Sequence, residues 1–151
     1  MKSVSTTTSV EAESRLDVVD LTDEIRRAVK DSGVNDGLVV AFCLHTTCSL
    51  FVNEWEDGLR QDLKERLEEI APRGGYYAHD DSARRTQNLV SEGEEERRNG
   101  HSHIAQMLLG GTSQTLSVEA GQPVLGRWQR LFLVELDEPK MRQVRFTVLG
   151  I

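Results

Sequence analysis

The sequence predicts an α+β fold: one compact domain with a mixed or antiparallel sheet and about three helices. Three observations carry that reading. Short apolar runs rich in β-branched residues are bounded by Gly and Pro signals, as strands are. Three other segments place apolar residues at helical spacing. The last third of the chain strings strand-like runs together without intervening helices. A length of 151 residues suits one domain, and no internal repeat is present, so residues 1–151 are read as a single unit.

The elements follow in order. Ser3–Val10 is rich in Thr and Val and reads as a first strand. In "VVDLTDEIRRAVKDSG", Asp20 or Thr22 can cap a helix whose face carries Leu21, Ile25, Ala28 and Val29, with Gly33 as the stop. "GLVVAFCLHTT" is a near-continuous apolar run, the pattern of a strand buried on both faces. "CSLFVN" reads as a second short strand. In "NEWEDGLRQDLKERLEEIAP", Trp55, Leu59, Leu63, Leu67 and Ile70 mark a helical face, acids crowd the first turn and Pro72 closes it. On this reading Asn53 and Glu54 open the helix. Residues 73–100 form a long polar connection, a length usually tied to function or mobility. "HIAQMLLG" is a helix ended by Gly110 and Gly111, and "QTLSVEAG", "LFLVELD" and "QVRFTVLG" are strands.

Composition narrows the function classes. The formal charge of −7 at pH 7 offers no basic footprint for a nucleic acid or an acidic membrane. No apolar stretch approaches the ~20 residues of a membrane span. The N-terminal stretch lacks an apolar signal core. With only two cysteines, Cys43 and Cys48, a disulfide framework is not indicated, and a reduced, cytoplasmic chain is expected. Cys43 lies in the apolar run and suits core packing; Cys48 receives no role.

The four histidines carry the chemistry. His45 stands at the end of the apolar strand, where a lone imidazole is more often a structural hydrogen-bonding group than a ligand. His79 lies in a polar loop. His101 and His103 sit two apart, and on a regular helix that spacing points them roughly 200° away from each other. They share a face only if Asn99–Gly100 breaks the chain, so that His101 precedes the helix and His103 enters its first turn. Imidazole is a common metal ligand, and three protein ligands with one open position is the pattern of catalytic zinc. Glu54 and Asn53 in a first turn are equally explained as capping groups, and Asp62 follows two turns on. Asp137 emerges where a strand enters a turn. Gln129 is placed at a pocket edge, and Trp128 in the core.

Taken together, "FCLHTTCSLFVNE", Asp62-Leu63, "YYAH", "NGHSHIAQMLLG", "SQTLSVEAGQPVLGRWQRLFLVELDEP" and "RFTVLG" resemble the YjbQ family over nearly the whole chain. Some of its members are described as secondary thiamine-phosphate synthases. The resemblance implies a homotrimer with a polar, histidine-lined pocket that holds a divalent metal, zinc favoured and magnesium possible, or otherwise a phosphate or sulfate. By position it carries over His45, His79, His101 and His103 as the metal set, with Asn99 beside them. Glu54, Asn53, Asp62, Gln129 and Asp137 become the candidates for orienting a ligand or moving a proton, with Gly126 and Trp128 in the same stretches. Arg127, Glu138 and Lys140 depart from the family's usual Thr, Gly and Arg, and residues 80–98 form a longer, more charged loop than the family's. Lys140 keeps the cation but loses the bidentate fork. The implied activity joins a pyrimidine pyrophosphate to a thiazole phosphate with loss of pyrophosphate, the partner being a small phosphorylated metabolite. The alternatives are a non-catalytic trimeric protein that binds a metal or a phosphometabolite, and a zinc-dependent hydrolase.

Overall fold

The run Leu131-Phe132-Leu133-Val134 sets the layering. Successive side chains of a strand face opposite ways, so an unbroken apolar run needs a core on each side. Leu131 and Leu133 enter one buried cluster, with Val39, Ala41, Leu50, Val144 and Phe146. Phe132 and Val134 enter a second, with Leu16, Leu67 and Ala105. The structure, a computed structural model, describes residues 1–92 and 94–151.

The elements are β1 (Lys2–Glu11), β2 (Val18–Asp20), α1 (Thr22–Ser32), β3 (Gly37–Cys43), β4 (Cys48–Glu54), α2 (Asp57–Ile70), a single 3-10 turn (Ala78–Asp80), α3 (Gly100–Leu109), β5 (Ser113–Glu119), β6 (Gln122–Pro123), β7 (Gln129–Glu135) and β8 (Met141–Gly150). They form a five-stranded sheet in the order β1-β8-β3-β5-β6 and a three-stranded sheet in the order β2-β7-β4. Every pairing is antiparallel. The larger core lies between the sheets and takes in α1 through Ile25 and Val29. The smaller one packs α2 and α3 on the far face of β7. Each fully buried Leu, Val or Phe contributes about 1.5–3 kcal/mol over leaving it exposed. The α+β class is therefore as expected, with three α-helices among the described residues.

Five local expectations are corrected. First, β3 is buried on one face only: Val39, Ala41 and Cys43 point inward, while Leu38 and Phe42 are 46% and 42% exposed. The two-core rule belongs to β7. Second, Asn53 and Glu54 end β4 rather than opening α2. The helix starts at Asp57 because the Glu56 carboxylate accepts hydrogen bonds from the amides of Gly58 and Leu59. Third, Trp128 is not in the core but 62% exposed, beneath the Arg127 guanidinium. Fourth, α3 starts at Gly100, so both His101 and His103 are helical. Fifth, at α1 the N-cap position falls on Leu21, not on Asp20 or Thr22, although Asp20 Oδ1 accepts from the Thr22 amide; Gly33 ends the helix as expected, in the left-handed region at φ 64°.

Candidate functional site

The first turn of α3 rests on the 3-10 turn, and glycine makes that possible. The Gly100 amide donates to Asp80 Oδ1 at 2.8 Å. A Cβ on Gly100 would lie 2.4 Å from the Tyr77 Cβ. The close approach sets His79 against His103, with ring centroids 4.5 Å apart and planes tilted by 55°. Burial, then the neighbouring His79, pushes the His103 imidazole below its ordinary value, so it is neutral at pH 7.

His101 turns the other way, as two residues on one helix must. It is 3% exposed, with its ring centroid 6.2 Å from that of Tyr77. The Ser102 hydroxyl spends its proton on the Leu136 carbonyl at 2.6 Å, so at the 3.1 Å Ser102–His101 contact the imidazole Nε2 donates. Nδ1 is thereby left as a buried lone pair without a partner. Burial lowers the His101 pKa, and Arg15 adds to it.

Asp137 ties α3 to the end of β7. It is 3% exposed and accepts hydrogen bonds from Asn99 Nδ2 at 3.2 Å and from the Lys140 ammonium, with Arg97 at 4.0 Å. Burial pushes its carboxyl up, but the Lys140 and Asn99 hydrogen bonds and the Lys140 and Arg142 charges outweigh that and hold it below the ordinary carboxylate value. Asn99 thus spends its side chain on Asp137 rather than capping α3. Lys140, where the family pattern has Arg, keeps the ion pair.

Below Asp137 lies a buried charge pair. Glu135 accepts from Arg142 through both carboxylate oxygens, with Nε to Oε2 at 2.5 Å, and also from the Asp137 amide at 2.9 Å. Arg142 Nη2 reaches Thr47 Oγ1 at 3.0 Å, and the Leu136 amide donates to the Thr47 carbonyl at 3.1 Å. These bonds position the loop Leu44–Thr47. On it, His45 Nε2 accepts from the Gln143 amide at 2.8 Å. Burial and then Arg142 lower the His45 pKa. Its one free ring acceptor is already engaged.

Eight of the nine predicted site residues therefore fall into two groups, and Asp62 stands apart from both. His79, His101, His103, Asp137 and His45 gather around the end of β7, but the four histidines do not converge on one point. Among the described residues, no group of three or more His, Cys, Asp or Glu side chains is placed to hold a metal ion. Asn53, Glu54 and Gln129 lie at the other end of the β4–β7 pair, where Glu54 faces Gln129; Cys48 faces Glu135 at the near end. Six residues at ~3.3 Å each put about 20 Å between the ends. There Gln129 Oε1 accepts from the Gly126 amide at 2.7 Å and Asn53 Oδ1 from the Glu54 amide at 2.8 Å. Asp62 is exposed on α2. Glu135, Arg142 and Thr47 escaped sequence reasoning, although two of them carry a signal. Glu135 interrupts an apolar run, and Arg142 shares strand parity with Val144, Phe146 and Val148.

Beside His79 opens a cavity of about 310 Å³. Asp80, Glu92, Glu94 and Glu96 line it together with Arg85, Arg97 and Arg98. Carboxylates outnumber guanidiniums, so the cavity suits a cation, or an anion that brings a cation with it, better than a bare phosphate. The donors at hand, two facing imidazoles, make half of a zinc donor set. A divalent ion bound there would need its other positions filled by ligand oxygens. The two imidazoles do not fit a closed structural site. Among the described residues no helix is long and apolar enough to cross a membrane.

Residues 6–151 match the family model described as "UPF0047 protein YjbQ-like". A UPF0047 protein of Archaeoglobus fulgidus is 37% identical over 130 residues, covering 86% of this chain and 89% of its own. YugU of Bacillus subtilis is 25% identical over 145 residues, covering 95% and 98%. Among solved structures, a YbjQ-like protein of unknown function from Sulfolobus solfataricus P2 superposes with a TM-score of 0.84 at 29% identity over 99% of each chain. A hypothetical protein of Aeropyrum pernix K1 gives 0.77 at 32% identity over 100% of each.

Proposed function

The chain belongs to the YjbQ-like UPF0047 family, and on that premise we propose that it is a cytoplasmic enzyme acting on phosphorylated small molecules at the His79–His103 face. The reaction we assign is the thiamine-phosphate-synthase type: a pyrimidine pyrophosphate is joined to a thiazole phosphate and pyrophosphate leaves. The observation that carries the reading is the pair of imidazoles 4.5 Å apart, of which His79 lines a cavity of mixed carboxylates and guanidiniums. A divalent ion held there with substrate oxygens, zinc before magnesium, would neutralise charge on the departing pyrophosphate. His103, kept neutral by burial, offers its lone pair at pH 7. Asp137 holds Lys140 and Asn99 beside the start of α3, so that its own buried charge is paired.

Two imidazoles supply one protein ligand fewer than hydrolytic zinc sites use, and the hydrolase alternative is not carried forward. A binding protein without turnover is the second reading. It is favoured by the position of Asn53, Glu54 and Gln129 at the end of the β4–β7 pair remote from Glu135, about 20 Å of strand away. Under the enzyme reading, a second copy must bring that end to the histidine face, which is where the homotrimer enters the proposal. The outward face of the five-stranded sheet supports such contact: Leu38 and Leu149 are paired across β3 and β8 and, with Phe42, stand exposed.

The test combines elemental analysis, sedimentation and a coupling assay on the two phosphorylated substrates. The wild type is expected to couple them, and His103→Ala to lose both bound metal and activity. Mixing His103→Ala with Glu54→Ala should restore roughly a quarter of wild-type turnover if sites are shared between randomly mixed copies. Stoichiometric metal without turnover supports the binding reading, and full activity in His103→Ala sinks the site.

A further inference from the structure

Cys43 closes β3 in one sheet and Cys48 opens β4 in the other. Both are free and buried, at 1% and 0% exposure, and their sulfurs lie 2.7 Å apart. A disulfide is about 2.05 Å long, so under an ångström of approach separates the dithiol from a bond. The four residues between them, Leu44–Thr47, form the loop that carries His45. That loop is fastened on both sides, by Thr47 to Arg142 and Leu136 and by His45 to the Gln143 amide. The site proposed above makes no use of either sulfur.

We propose that Cys43 and Cys48 are a peroxide-oxidisable pair whose disulfide joins the two sheets and clamps the His45 loop. The oxidant is a hydroperoxide, hydrogen peroxide being small enough to reach a buried pair where a bulkier disulfide is not. One sulfur attacks the O–O bond, forming a sulfenic acid and releasing water. The second sulfur then attacks the first and displaces its hydroxyl as a second water. Two electrons pass from the thiols to the peroxide, and both S–H protons end in water. The adjacent thiol makes the second step fast, because no diffusion is needed to find it, and this protects the sulfenic acid from further oxidation. Reversal takes a dithiol reductant. The position at the base of the His45 loop makes the oxidation state legible at the candidate site.

The experiment uses the full chain, treated or untreated with hydrogen peroxide, then unfolded, alkylated with N-ethylmaleimide and weighed intact. Two alkylated thiols are expected before treatment. After it, none is expected and the mass is that of the unalkylated dithiol chain less about two hydrogens, as one S–S bond requires; dithiothreitol restores both. The amide resonance of Gln143 should shift on oxidation, because its acceptor is His45. Cys48→Ala should instead accumulate sulfinic acid on Cys43. The wild-type masses stand even if that variant fails to fold. Persistence of both alkylated thiols after peroxide, oxygen addition to a single wild-type cysteine, or disulfide-linked dimers would each overturn the proposal. So would a disulfide that leaves the Gln143 resonance in place, since the clamp on the loop would then be absent.

Discussion

Replacing Arg142 by Met should be among the most damaging single changes in the chain, while removing its partner as well should undo most of the damage. Arg142 is 3% exposed and Glu135 fully buried. Burial works against the guanidinium charge, yet the Glu135 hydrogen bonds and charge raise the Arg142 pKa above its ordinary value. Without the arginine, Glu135 keeps only the Asp137 amide as a partner, and Thr47 loses its Nη2 donor. Stripping one partner from a buried ion pair costs about 3–5 kcal/mol, mostly because a charge is left uncompensated. At about 2–4 °C per kcal/mol for a domain of this size, the melting temperature should fall by roughly 6–20 °C. In Glu135→Gln/Arg142→Met the charge is gone, and the side-chain carbonyl still accepts from Asp137. The double variant should then recover all but about 1–2 kcal/mol, the worth of the lost hydrogen bonds. Urea titrations read by linear extrapolation measure all three proteins. A loss below about 1 kcal/mol in Arg142→Met would refute the reasoning, as would a double variant no more stable than the single.

Three further outcomes follow from the same contacts. Gly100→Ala drives a methyl to 2.4 Å from the Tyr77 Cβ; overpacking of this kind costs about 1–3 kcal/mol, and it should separate His79 from His103, read as a lower melting temperature together with weaker zinc binding. Stability should depend on pH through His45, His101 and His103, whose folded pKa values all lie below the ordinary 6.5. The unfolded chain then takes up protons first, so their contribution is whole above pH 6.5 and drains away as the pH falls through the folded values; urea midpoints flat from pH 8 to 7 and falling towards pH 5 would bear this out, and a rise would contradict it. Asp137 acts lower down: its folded pKa lies below the ordinary 3.8, so its share persists to about pH 4 and is lost in stronger acid. Asp137→Asn should flatten that acid limb in the same titration.

The strands and helices were legible because each buries one face and the chain spells that out at period 2 or 3.6. The errors sit where one pattern has two causes. An apolar run marks a strand covered on both sides, as at Leu131–Val134, but also a strand whose outer face is left bare, as at Leu38 and Phe42. Only the tertiary layering separates them. Acids before a helix mark the cap, yet "NEWED" offers Glu54, Glu56 and Asp57 within four residues. The carboxylate that reaches two amides, Glu56, is decided by backbone direction.

The site was legible by type and not by geometry. Counting histidines found His79 and His103, but their pairing depends on where α3 begins. That start is set by Asp80 capturing the Gly100 amide, a contact across twenty residues of polar loop. The same start sends His101 into the core, so an H-x-H spacing that promised a shared ligand instead divides the pair between a surface role and a buried one. The charges that organise the site's floor were available to a stricter reading. A glutamate in an apolar run and an arginine at core parity must meet each other or destabilise the fold, because a buried charge without a partner is expensive. Pairing them from sequence alone would have joined the end of β7 to the start of β8; that Thr47, and with it the His45 loop, completes the pair is set by the fold. What no parity rule supplies is the distance from that floor to Asn53 and Glu54. In one chain Asn53 and Glu54 stand at the end of the β4–β7 pair remote from Glu135, and a strand pair cannot bend its ends together. Under the proposed function a common site would take a second copy, and the two motif groups are better read as two faces than as one pocket.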